Sequence, residues 1–513
     1  MVARKYKKVV VIGAGISGVS AAAHLIKNGL DTVLFERSSA AGGVWHFDER
    51  SALEPQYPNA KPSFGDYVVR PAQSYSTPPP ELEDQEDFET AHAPPGPSYW
   101  GLKNNISTRA MKTSIQEWPE GTKDYVKRQV LEEYIQAISN DHGVAAITQY
   151  NTRVEEVRKQ GNEWVVRTTT LQKSDAGFHL WERRWVFDAV VVASGHYNMP
   201  HVPAWPGIGD WKAARPKDVW HSKRYRKPDE LRGKNVLVIG AGVSSNDIIK
   251  ESVAIANKIY QSARGGALDI PVSLLPEKAS RVAGVVSFNL DHDKLATAKE
   301  TDPIPGTITL TDGQVLSDIH TVVIATGYVT SYPFLPHLHN DDLPAAEADE
   351  YVLVTKEGEQ VHNLHKDIFY IKDPSLAFVG VPYHVATFSV FDFQAQIVAR
   401  VFSGKAEVPP EEELRTEYKA RVEKKSLGRS FHSLKEDNGE INYVKDLVEW
   451  ANRDALKLGI DDPMVGHTEQ WHQAFNESKE ALRWMLSPKD KRIGTPPASL
   501  QALLDAFTGV SEK

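Results

Sequence analysis

The sequence contains no cysteine and no stretch of 18 or more consecutive apolar residues of the kind that spans a membrane. The absence of cysteine excludes disulfide bonds, thiolate metal sites, iron–sulfur clusters and redox-active dithiols. Positive charge is also scarce, with 59 lysines and arginines against 68 acidic residues, so no basic field is present to hold nucleic acid or an anionic membrane. We therefore expect a soluble, cytoplasmic protein without a nucleic-acid partner, a membrane span or a metal site.

Length and composition indicate several globular domains. The chain has 513 residues, of which 41% are hydrophobic and 25% charged, and these proportions are typical of globular proteins. A chain of this length exceeds what one hydrophobic core supports. The sequence therefore predicts two domains or more, each with its own core.

Residues 8–37 have the pattern of a β–α–β unit, with a glycine-rich turn between the first strand and the helix. Gly13, Gly15 and Gly18 form a G-x-G-x-x-G sequence there. Such glycines allow a tight turn, the approach of a pyrophosphate and close packing of helix on strand. Glu36 ends the second strand, where a carboxylate can accept hydrogen bonds from both ribose hydroxyls. The unit predicts a site for a dinucleotide with a free ribose diol, such as FAD or NAD.

A second unit of the same kind begins with the sequence NVLVIGAGVSSND. Gly240 and Gly242 repeat the first two glycines, and Ser245 takes the place of the third. The strand after the helix ends in Ser262 and Arg264 instead of a carboxylate. A guanidinium beside a hydroxyl can bind a 2′-phosphate, which a carboxylate would repel. The second unit therefore predicts an NADP site.

Two dinucleotide sites in one chain predict hydride transfer from NADPH to a flavin. Many flavoproteins with two such sites pass the electrons on to a disulfide, which a chain without cysteine cannot contain, so oxygen is the expected acceptor. The order of the elements predicts an inserted NADP-binding domain over residues 205–330. Residues 1–204 and 331–513 are then the two parts of the FAD-binding domain, the second carrying a helical C-terminal extension.

The segment 50–98 interrupts the β–α–β pattern with proline-rich and acidic sequence. One interpretation is a solvated surface loop, which the acidic part favours. Its aromatic residues leave a second interpretation open, a lid over a ligand. These aromatic residues are Tyr57, Phe64, Tyr67, Tyr75 and Phe88.

A series of motifs in order resembles the flavin-containing monooxygenases, which are class B, single-component enzymes dependent on FAD and NADPH. The motifs cover most of residues 8–405 and read GAGISG, FERSSAAGGVW, YWGLKNNISTRAM, FDAVVVASGHYNMPHVP, HSKRY, VLVIGAGVSSND, VVIATGY and LAFVGVP. The resemblance implies an α/β fold with two Rossmann-like dinucleotide-binding domains, the NADP domain inserted into the FAD domain, and a helical C-terminal extension. It implies FAD and NADP as cofactors.

The resemblance also implies which residue lies at the reactive centre. Asn105 falls where the family has an asparagine beside the reactive edge of the flavin, and its amide can donate a hydrogen bond without ionisation. Together, the glycine turns and the resemblance predict as FAD-binding residues Gly13, Gly15, Ser17, Gly18, Glu36, Arg37, Gly43, Val44, Trp45, Val154, Thr326, Gly327 and Gln394. They predict as NADP-binding residues Tyr225, Gly240, Gly242, Ser244, Ser245, Asn246, Ser262 and Arg264.

Two family motifs are altered in this chain. The pattern F-x-G-x-x-x-H ends at His221, but Arg215 and Lys217 occupy the positions of its phenylalanine and glycine. Tyr225 takes the aromatic position that follows and, because it is not tryptophan, resembles heteroatom oxygenases more than Baeyer–Villiger enzymes. Ser107 replaces the proline expected after the asparagine. We assign His221 no acid–base role.

The resemblance implies a monooxygenase whose substrates are O2 and a small organic molecule. NADPH would reduce FAD, and a C4a-hydroperoxyflavin would transfer one oxygen atom to a soft nucleophilic nitrogen or sulfur. N-hydroxylation of an aromatic or indole-type natural product is one such reaction. Two alternatives stay open: Baeyer–Villiger oxygenation of a ketone, and a non-oxygenating flavoprotein that acts as a redox or binding module. The sequence also leaves a homo-oligomer open.

Overall fold

The structure is a computed structural model that describes residues 5–58, 61–67, 85–174, 177–266, 269–486, 497, 499–501 and 503. Its α-helices in these ranges are α1 (Ile16–Lys27), α2 (Gln85–His92), α3 (Arg128–Asp141), α4 (Val144–Ile147), α5 (Ile208–Ala214), α6 (Val243–Ser252), α7 (His292–Leu295), α8 (Thr387–Phe402), α9 (Glu411–Lys424), α10 (Gly439–Lys457) and α11 (Glu469–Leu486).

The strands form two large sheets and several small ones. They are β1 (Lys8–Ile12), β2 (Asp31–Phe35), β3 (Thr148–Gln149), β4 (Thr152–Gln160), β5 (Glu163–Ser174), β6 (Gly177–Phe187), β7 (Ala189–Val192), β8 (Met199–Pro200), β9 (Val219–His221), β10 (Asn235–Ile239), β11 (Lys258–Ser262), β12 (Ala279–Val282), β13 (Val285–Leu290), β14 (Gly306–Leu310), β15 (Val315–Leu316), β16 (Thr321–Ile324), β17 (Tyr328–Val329), β18 (His339–Asn340), β19 (Val354–Thr355), β20 (Leu364–His365), β21 (Phe369–Tyr370) and β22 (Leu376–Phe378).

The first large sheet contains the first glycine turn and has the order β20-β21-β22-β7-β1-β2-β3. The strands β22, β7, β1, β2 and β3 are parallel to one another, whereas β20, β21 and β22 pair in antiparallel orientation. Val9, Val10 and Val11 in β1 are fully buried, because a central parallel strand is covered on both faces. α1 and α8 pack against each other and belong to this core.

The second large sheet contains the second glycine turn and has the order β12-β11-β10-β16-β9, with every neighbouring pair parallel. All its strands lie between β8 and β17 in the chain. β8 and β17 pair with each other in antiparallel orientation where the chain leaves and re-enters the first sheet. This topology confirms the predicted fold class, with one Rossmann-like unit inserted into another.

β4 and β5 pair in antiparallel orientation around Gly161, and β6 extends them. The prediction for the acidic run was partly wrong, because its end forms the helix α2 and not a loop. Phe88 in α2 is only 3% exposed and lies 5.8 Å from Phe178 in β6. Packing of this ring explains why a charged segment folds here. Residues 59–60 and 68–84, which include Tyr75, lie outside the described residues.

The C-terminal extension forms the predicted helices α9, α10 and α11, and Glu440 in the first turn of α10 is buried, at 3% exposure. Its Oε2 accepts a hydrogen bond of 3.0 Å from the Ala386 amide, at the start of α8. Its Oε1 is buried without a hydrogen-bond partner among the described residues. Burial raises the pKa of Glu440 to about 8.

Replacing Glu440 with glutamine should stabilise the protein at alkaline pH. In wild type the folded carboxyl keeps its proton up to about pH 8, whereas the unfolded chain loses it above about pH 4.3, so the free energy of unfolding falls as pH rises between these values. Glutamine keeps the acceptor for Ala386 and cannot ionise, so we expect a gain of up to about 5 kcal/mol above pH 8, the free-energy equivalent of the full pKa difference. Thermal melting at acidic and alkaline pH, with the exposed Glu449→Gln as control, measures it. An equal gain at both pH values would contradict the prediction.

Candidate functional site

The first glycine turn has a backbone shape that side chains would obstruct. Gly13 has φ +102°, and a Cβ atom on Gly18 would lie 1.8 Å from the carbonyl oxygen of Gly13. A Cβ atom on Gly43 would lie 2.8 Å from the Cα of Gly15. The turn and the Gly43–Trp45 segment therefore meet backbone to backbone at the N-terminus of α1. This narrow, side-chain-free cradle fits a dinucleotide pyrophosphate.

Glu36 is held at the end of β2 by three donors. Its Oε2 accepts a hydrogen bond of 2.7 Å from the Ala14 amide, and its Oε1 accepts 2.8 Å hydrogen bonds from the amide and hydroxyl of Ser38. A carboxylate has about four lone-pair sites, so acceptor capacity is left for ribose hydroxyls. Both position and chemistry fit the adenosine ribose of FAD.

Arg37 is directed elsewhere than the sequence suggests. Its guanidinium makes a bidentate pair with Asp66, at 2.9 and 3.0 Å, and a third hydrogen bond of 3.1 Å to Asn198. Asp66 also accepts a hydrogen bond of 2.7 Å from Lys223. The positive charges of Arg37 and Lys223 outweigh the effect of burial and hold the pKa of Asp66 well below its usual range. The side chain of Arg37 thus joins Asp66 of the 50–98 segment to Asn198, and a contact with FAD is left to its main chain.

The asparagine pair before Ile106 divides into a structural residue and an available one. Asn104 is 2% exposed. Its side-chain nitrogen donates hydrogen bonds of 2.7 and 2.8 Å to the carbonyls of Ile106 and Asp124. Its side-chain oxygen accepts a hydrogen bond of 2.6 Å from the backbone amide of Val126. Asn105 is exposed and makes no side-chain hydrogen bond to any described residue. Asn104 therefore fixes the loop that presents the Asn105 amide. The adjacent identical residues gave no signal of this division in the sequence.

Ser107 takes over the local role of the expected proline. Its hydroxyl donates 2.6 Å to Asp124, and its carbonyl accepts the amides of Ala110 and Met111, both at 2.9 Å. A hydrogen-bonded turn thus follows Asn105 and constrains the backbone there.

The segment of residues 42–45, which ends in the Gly43–Trp45 turn, packs under an aromatic cluster. The ring of Trp45 lies 6.5 Å from Phe388 in α8, and Phe388 stacks on Trp118 and Tyr134 at 6.3 and 5.8 Å. Phe388 is fully buried. This apolar wall lies next to the cradle, where it can exclude water from a bound flavin.

The second glycine turn differs in how much space it leaves. Gly240 has φ +120°, and a Cβ atom there would lie 2.3 Å from the carbonyl oxygen of Ala325, at the end of β16. A Cβ atom on Gly242 would have nothing within 4 Å. Ser244 is exposed in the first turn of α6. The turn is thus tight at Gly240 and open above the N-terminus of α6, as a bound phosphate requires.

Arg264 is exposed and forms no ion pair with the described residues, so its guanidinium is available to an anion. Ser262 is different, because it is 2% exposed and its hydroxyl donates 2.8 Å to the carbonyl of Ala283. Ser262 and Arg264 are both predicted to bind the 2′-phosphate, but of these two only Arg264 has a side chain that is available to do so.

His221 connects the end of β9 to residues 325–327, the return segment between β16 and β17. Its Nδ1 accepts 3.1 Å from the Lys223 amide, so its Nε2 carries the proton and donates 3.0 Å to the carbonyl of Gly327. Burial lowers the pKa of His221 to about 3, so the ring is neutral. The predicted absence of an acid–base role agrees with this arrangement.

Arg429 of the C-terminal extension reaches the same return segment, which sequence analysis missed. It donates 3.3 Å to the carbonyl of Thr326 and 2.9 Å to Nδ1 of His201. The hydroxyl of Thr326 in turn donates to the carbonyl of His201. No local signal marks Arg429, because the contact with His201 spans 228 positions of the chain.

Comparison with known proteins identifies the family. A family model described as flavin-binding monooxygenase-like matches residues 97–272 and 293–468, and one for FAD-dependent oxidoreductases matches residues 8–59. Flavin-containing monooxygenase ustF2 of Aspergillus flavus is 42% identical over 503 residues, which cover 93% of this chain and 97% of that protein. The chain belongs to the flavin-containing monooxygenase family. Flavin-containing monooxygenase iboF of Amanita muscaria is 29% identical and covers 88% of this chain and 89% of its own.

Solved structures share the fold of this flavin-containing monooxygenase. S-allyl-L-cysteine S-oxygenase from Allium sativum matches 98% of this chain and 99% of its own, with a TM-score of 0.66 and 21% identity. Cyclohexanone monooxygenase matches 88% of this chain and 98% of its own, with a TM-score of 0.54 and 12% identity. FAD and NADP are the cofactors of the family and of this member.

Several residues predicted to bind cofactors in this flavin-containing monooxygenase have side chains turned into the protein. Tyr225 is 3% exposed, and its hydroxyl donates 2.6 Å to Glu251. Gln394 is fully buried between the Gly380 amide and the Tyr443 hydroxyl, at 2.9 and 2.8 Å. These side chains are engaged within the protein, and their part in cofactor binding stays a prediction. The others placed in this way are Val154, Ser245 and Asn246.

The flavin-containing monooxygenase carries no membrane-crossing element in the part of the chain that is described. None of the helices there is both long and apolar enough to span a bilayer. The same residues contain no group of three or more histidine and acidic side chains arranged to hold a metal ion.

Proposed function

We propose that this flavin-containing monooxygenase is NADPH-dependent and oxygenates a soft nucleophilic nitrogen or sulfur of an organic substrate. The observation that carries the proposal is the contrast between the ends of β2 and β11. Glu36 offers a carboxylate to a ribose diol, whereas Arg264 offers a 2′-phosphate a guanidinium that has no ion pair among the described residues. The first turn is therefore assigned to FAD and the second to NADPH.

The connection between the two sheets supports transfer of a hydride from one cofactor to the other. A Cβ atom on Gly13 would lie 2.7 Å from the carbonyl of Ala193 at the end of β7, and one on Gly240 would lie 2.3 Å from the carbonyl of Ala325 at the end of β16. The chain leads directly from these two strand ends into β8 and β17, which pair. Both glycine turns thus border the same two-stranded connection.

Reduced FAD supplies the activation of O2 when it is bound, and the residues of the chain bind, orient and exclude water. The Asn105 amide can donate a hydrogen bond beside the flavin. The aromatic cluster around Phe388, next to the cradle, can exclude water there. Asn105 cannot ionise and its neighbour Asn104 is committed to the loop. A substrate that is already nucleophilic suits such a site, because it needs no activation by a base.

The relatives support an atom-transfer reaction of this kind. One structural relative is named as an S-oxygenase of an amino-acid sulfide, and another as a monooxygenase of a ketone, cyclohexanone. Tyr225 at the altered motif favours nitrogen or sulfur over a ketone carbon. We extend the proposal to N-hydroxylation of aromatic or indole-type natural products as one reaction within this class.

The experiment is an assay of the FAD-loaded protein with NADPH or NADH and a panel of amines, sulfides, indoles and ketones. Oxidation of the reduced nucleotide and the mass of each product are measured together. We expect N- or S-oxygenated products formed with NADPH in preference to NADH. An ester or lactone from a ketone as the main product would support Baeyer–Villiger oxygenation instead. Binding of both nucleotides without any product would support the redox or binding module.

A further inference from the structure

Arg128, the first residue of α3, is buried without hydrogen bonds from its side chain to the described residues. The side chain is 6% exposed, and its Nε is buried with no partner. Its nearest carboxylate, Glu132, lies 3.6 Å from Nη1 and already accepts 2.6 Å from Nδ1 of His46. A buried guanidinium normally has hydrogen-bonded partners, because leaving its donors unsatisfied is costly.

The helix position and the burial of the side chain both disfavour a cation at Arg128. A cation in the first turn of a helix opposes the macrodipole, which favours negative charge there. Burial, the larger cause, lowers the pKa of Arg128, because the charged form loses hydration that its surroundings only partly replace. Ionisable groups whose pKa is perturbed by burial cluster at functional sites.

Two aromatic rings determine which part of the guanidinium a ligand can reach. The Arg128 guanidinium carbon lies 4.1 Å from the centre of the Phe47 ring and 5.6 Å from that of Trp100. The two rings lie 5.8 Å apart, nearly edge to face. The two rings offer no nitrogen or oxygen lone pair that accepts a hydrogen bond, so the terminal N–H groups of the guanidinium are left for an acceptor outside the described residues. A carboxylate matches this arrangement by accepting two parallel hydrogen bonds.

Arg128 is positioned on the side of Asn105. The backbone amide of Arg128 donates a hydrogen bond of 2.9 Å to the carbonyl of Leu102, in the loop that Asn104 fixes. The helix that begins with Arg128 also packs against the Gly43–Trp45 segment. The guanidinium therefore lies between the loop of the candidate reactive residue and the segment next to the flavin cradle.

We propose that Arg128 binds the carboxylate of the substrate, so that the substrates are amino acids or other carboxylic acids carrying the nitrogen or sulfur to be oxygenated. This inference rests on the proposed function. The Arg128 guanidinium would bind the carboxylate in its plane, and the N-terminus of α3 would add to the attraction. Such an anchor orients the substrate without taking part in the oxygen transfer.

Binding measurements test the carboxylate site independently of catalytic turnover. The probes are S-allyl-L-cysteine and its methyl ester, titrated calorimetrically into the FAD-loaded protein with NADP present. Losing a charge-assisted, bidentate contact should cost about tenfold or more in affinity, so we expect wild type to bind the acid at least about tenfold more tightly than the ester. Arg128→Gln should abolish this difference, and Arg128→Lys should restore part of it.

Lys227→Gln is the matched control, because Lys227 lies 5.1 Å from the Trp100 ring and is 46% exposed. It removes the same charge from the same neighbourhood and should leave the preference for the acid intact. Equal affinity of wild type for acid and ester, or no binding of either, would overturn the carboxylate site. Loss of FAD from Arg128→Gln would overturn it as well, since the anion would then be a phosphate of the cofactor. A wild type that binds the acid but oxygenates nothing would instead refute the proposed function.

Discussion

Asn105→Ala should slow the oxygen-transfer step about a hundredfold and thereby lower the amount of oxygenated product formed per NADPH, with hydrogen peroxide as the new fate of the consumed NADPH. The Asn105 amide is exposed and has no partner among the described residues, so it is free to donate beside the flavin. Loss of one preorganised donor costs roughly 3 kcal/mol of transition-state stabilisation. Flavin content, the rate of flavin reduction by NADPH and the melting temperature should stay near those of wild type. Product mass, peroxide and NADPH are measured in the same reaction.

Asn104→Ala is the matched control for this prediction. It removes the same amide one residue earlier, but that amide fixes the loop through hydrogen bonds to Ile106, Asp124 and Val126. We expect this variant to melt at lower temperature and to lose FAD. If Asn105→Ala stays fully coupled, Asn105 has no part in oxygen transfer, and if it behaves like Asn104→Ala, its role is structural.

Arg264→Ala should weaken NADPH binding by about 1.5–3 kcal/mol, roughly tenfold to more than a hundredfold, and leave NADH binding almost unchanged. The reason is that the guanidinium is exposed at the end of β11 and forms no ion pair with the described residues. The two nucleotides differ only in the 2′-phosphate. Dissociation constants from rapid reduction of the flavin, measured for both nucleotides, test the prediction.

Arg281→Ala serves as the control for Arg264. The Arg281 side chain donates 2.9 Å to Gln261 and 2.8 Å to the carbonyl of Ile270, so its loss should reduce stability without discriminating between the nucleotides. Ser262→Ala should change the preference little, because the Ser262 hydroxyl is already bonded to Ala283. An Arg264→Ala protein that still prefers NADPH would show that another residue binds the 2′-phosphate.

Local sequence predicted the nucleotide turns well, because their requirements lie within a few residues. Gly13 and Gly240 adopt φ angles that favour glycine, and Gly18 leaves no room for a Cβ atom. Glu36 and Arg264 end strands whose apolar pattern is readable in the sequence. The boundaries at residues 204 and 330 stay a prediction, although β8 and β17 pair close to them.

The sequence by itself determined the fold class, the family and the two glycine turns, since these depend on backbone conformation and on residues close together in the chain. The tertiary structure alone decided which side chains are free to act. Arg37 is paired with Asp66 and Tyr225 with Glu251, whereas Asn105 and Arg264 keep no partner among the described residues. Arg128 is enclosed by Phe47 and Trp100, which come from separate segments. Periodicity indicates which face of an element is buried, but the partner across that face comes from distant sequence and is known only once the chain has folded.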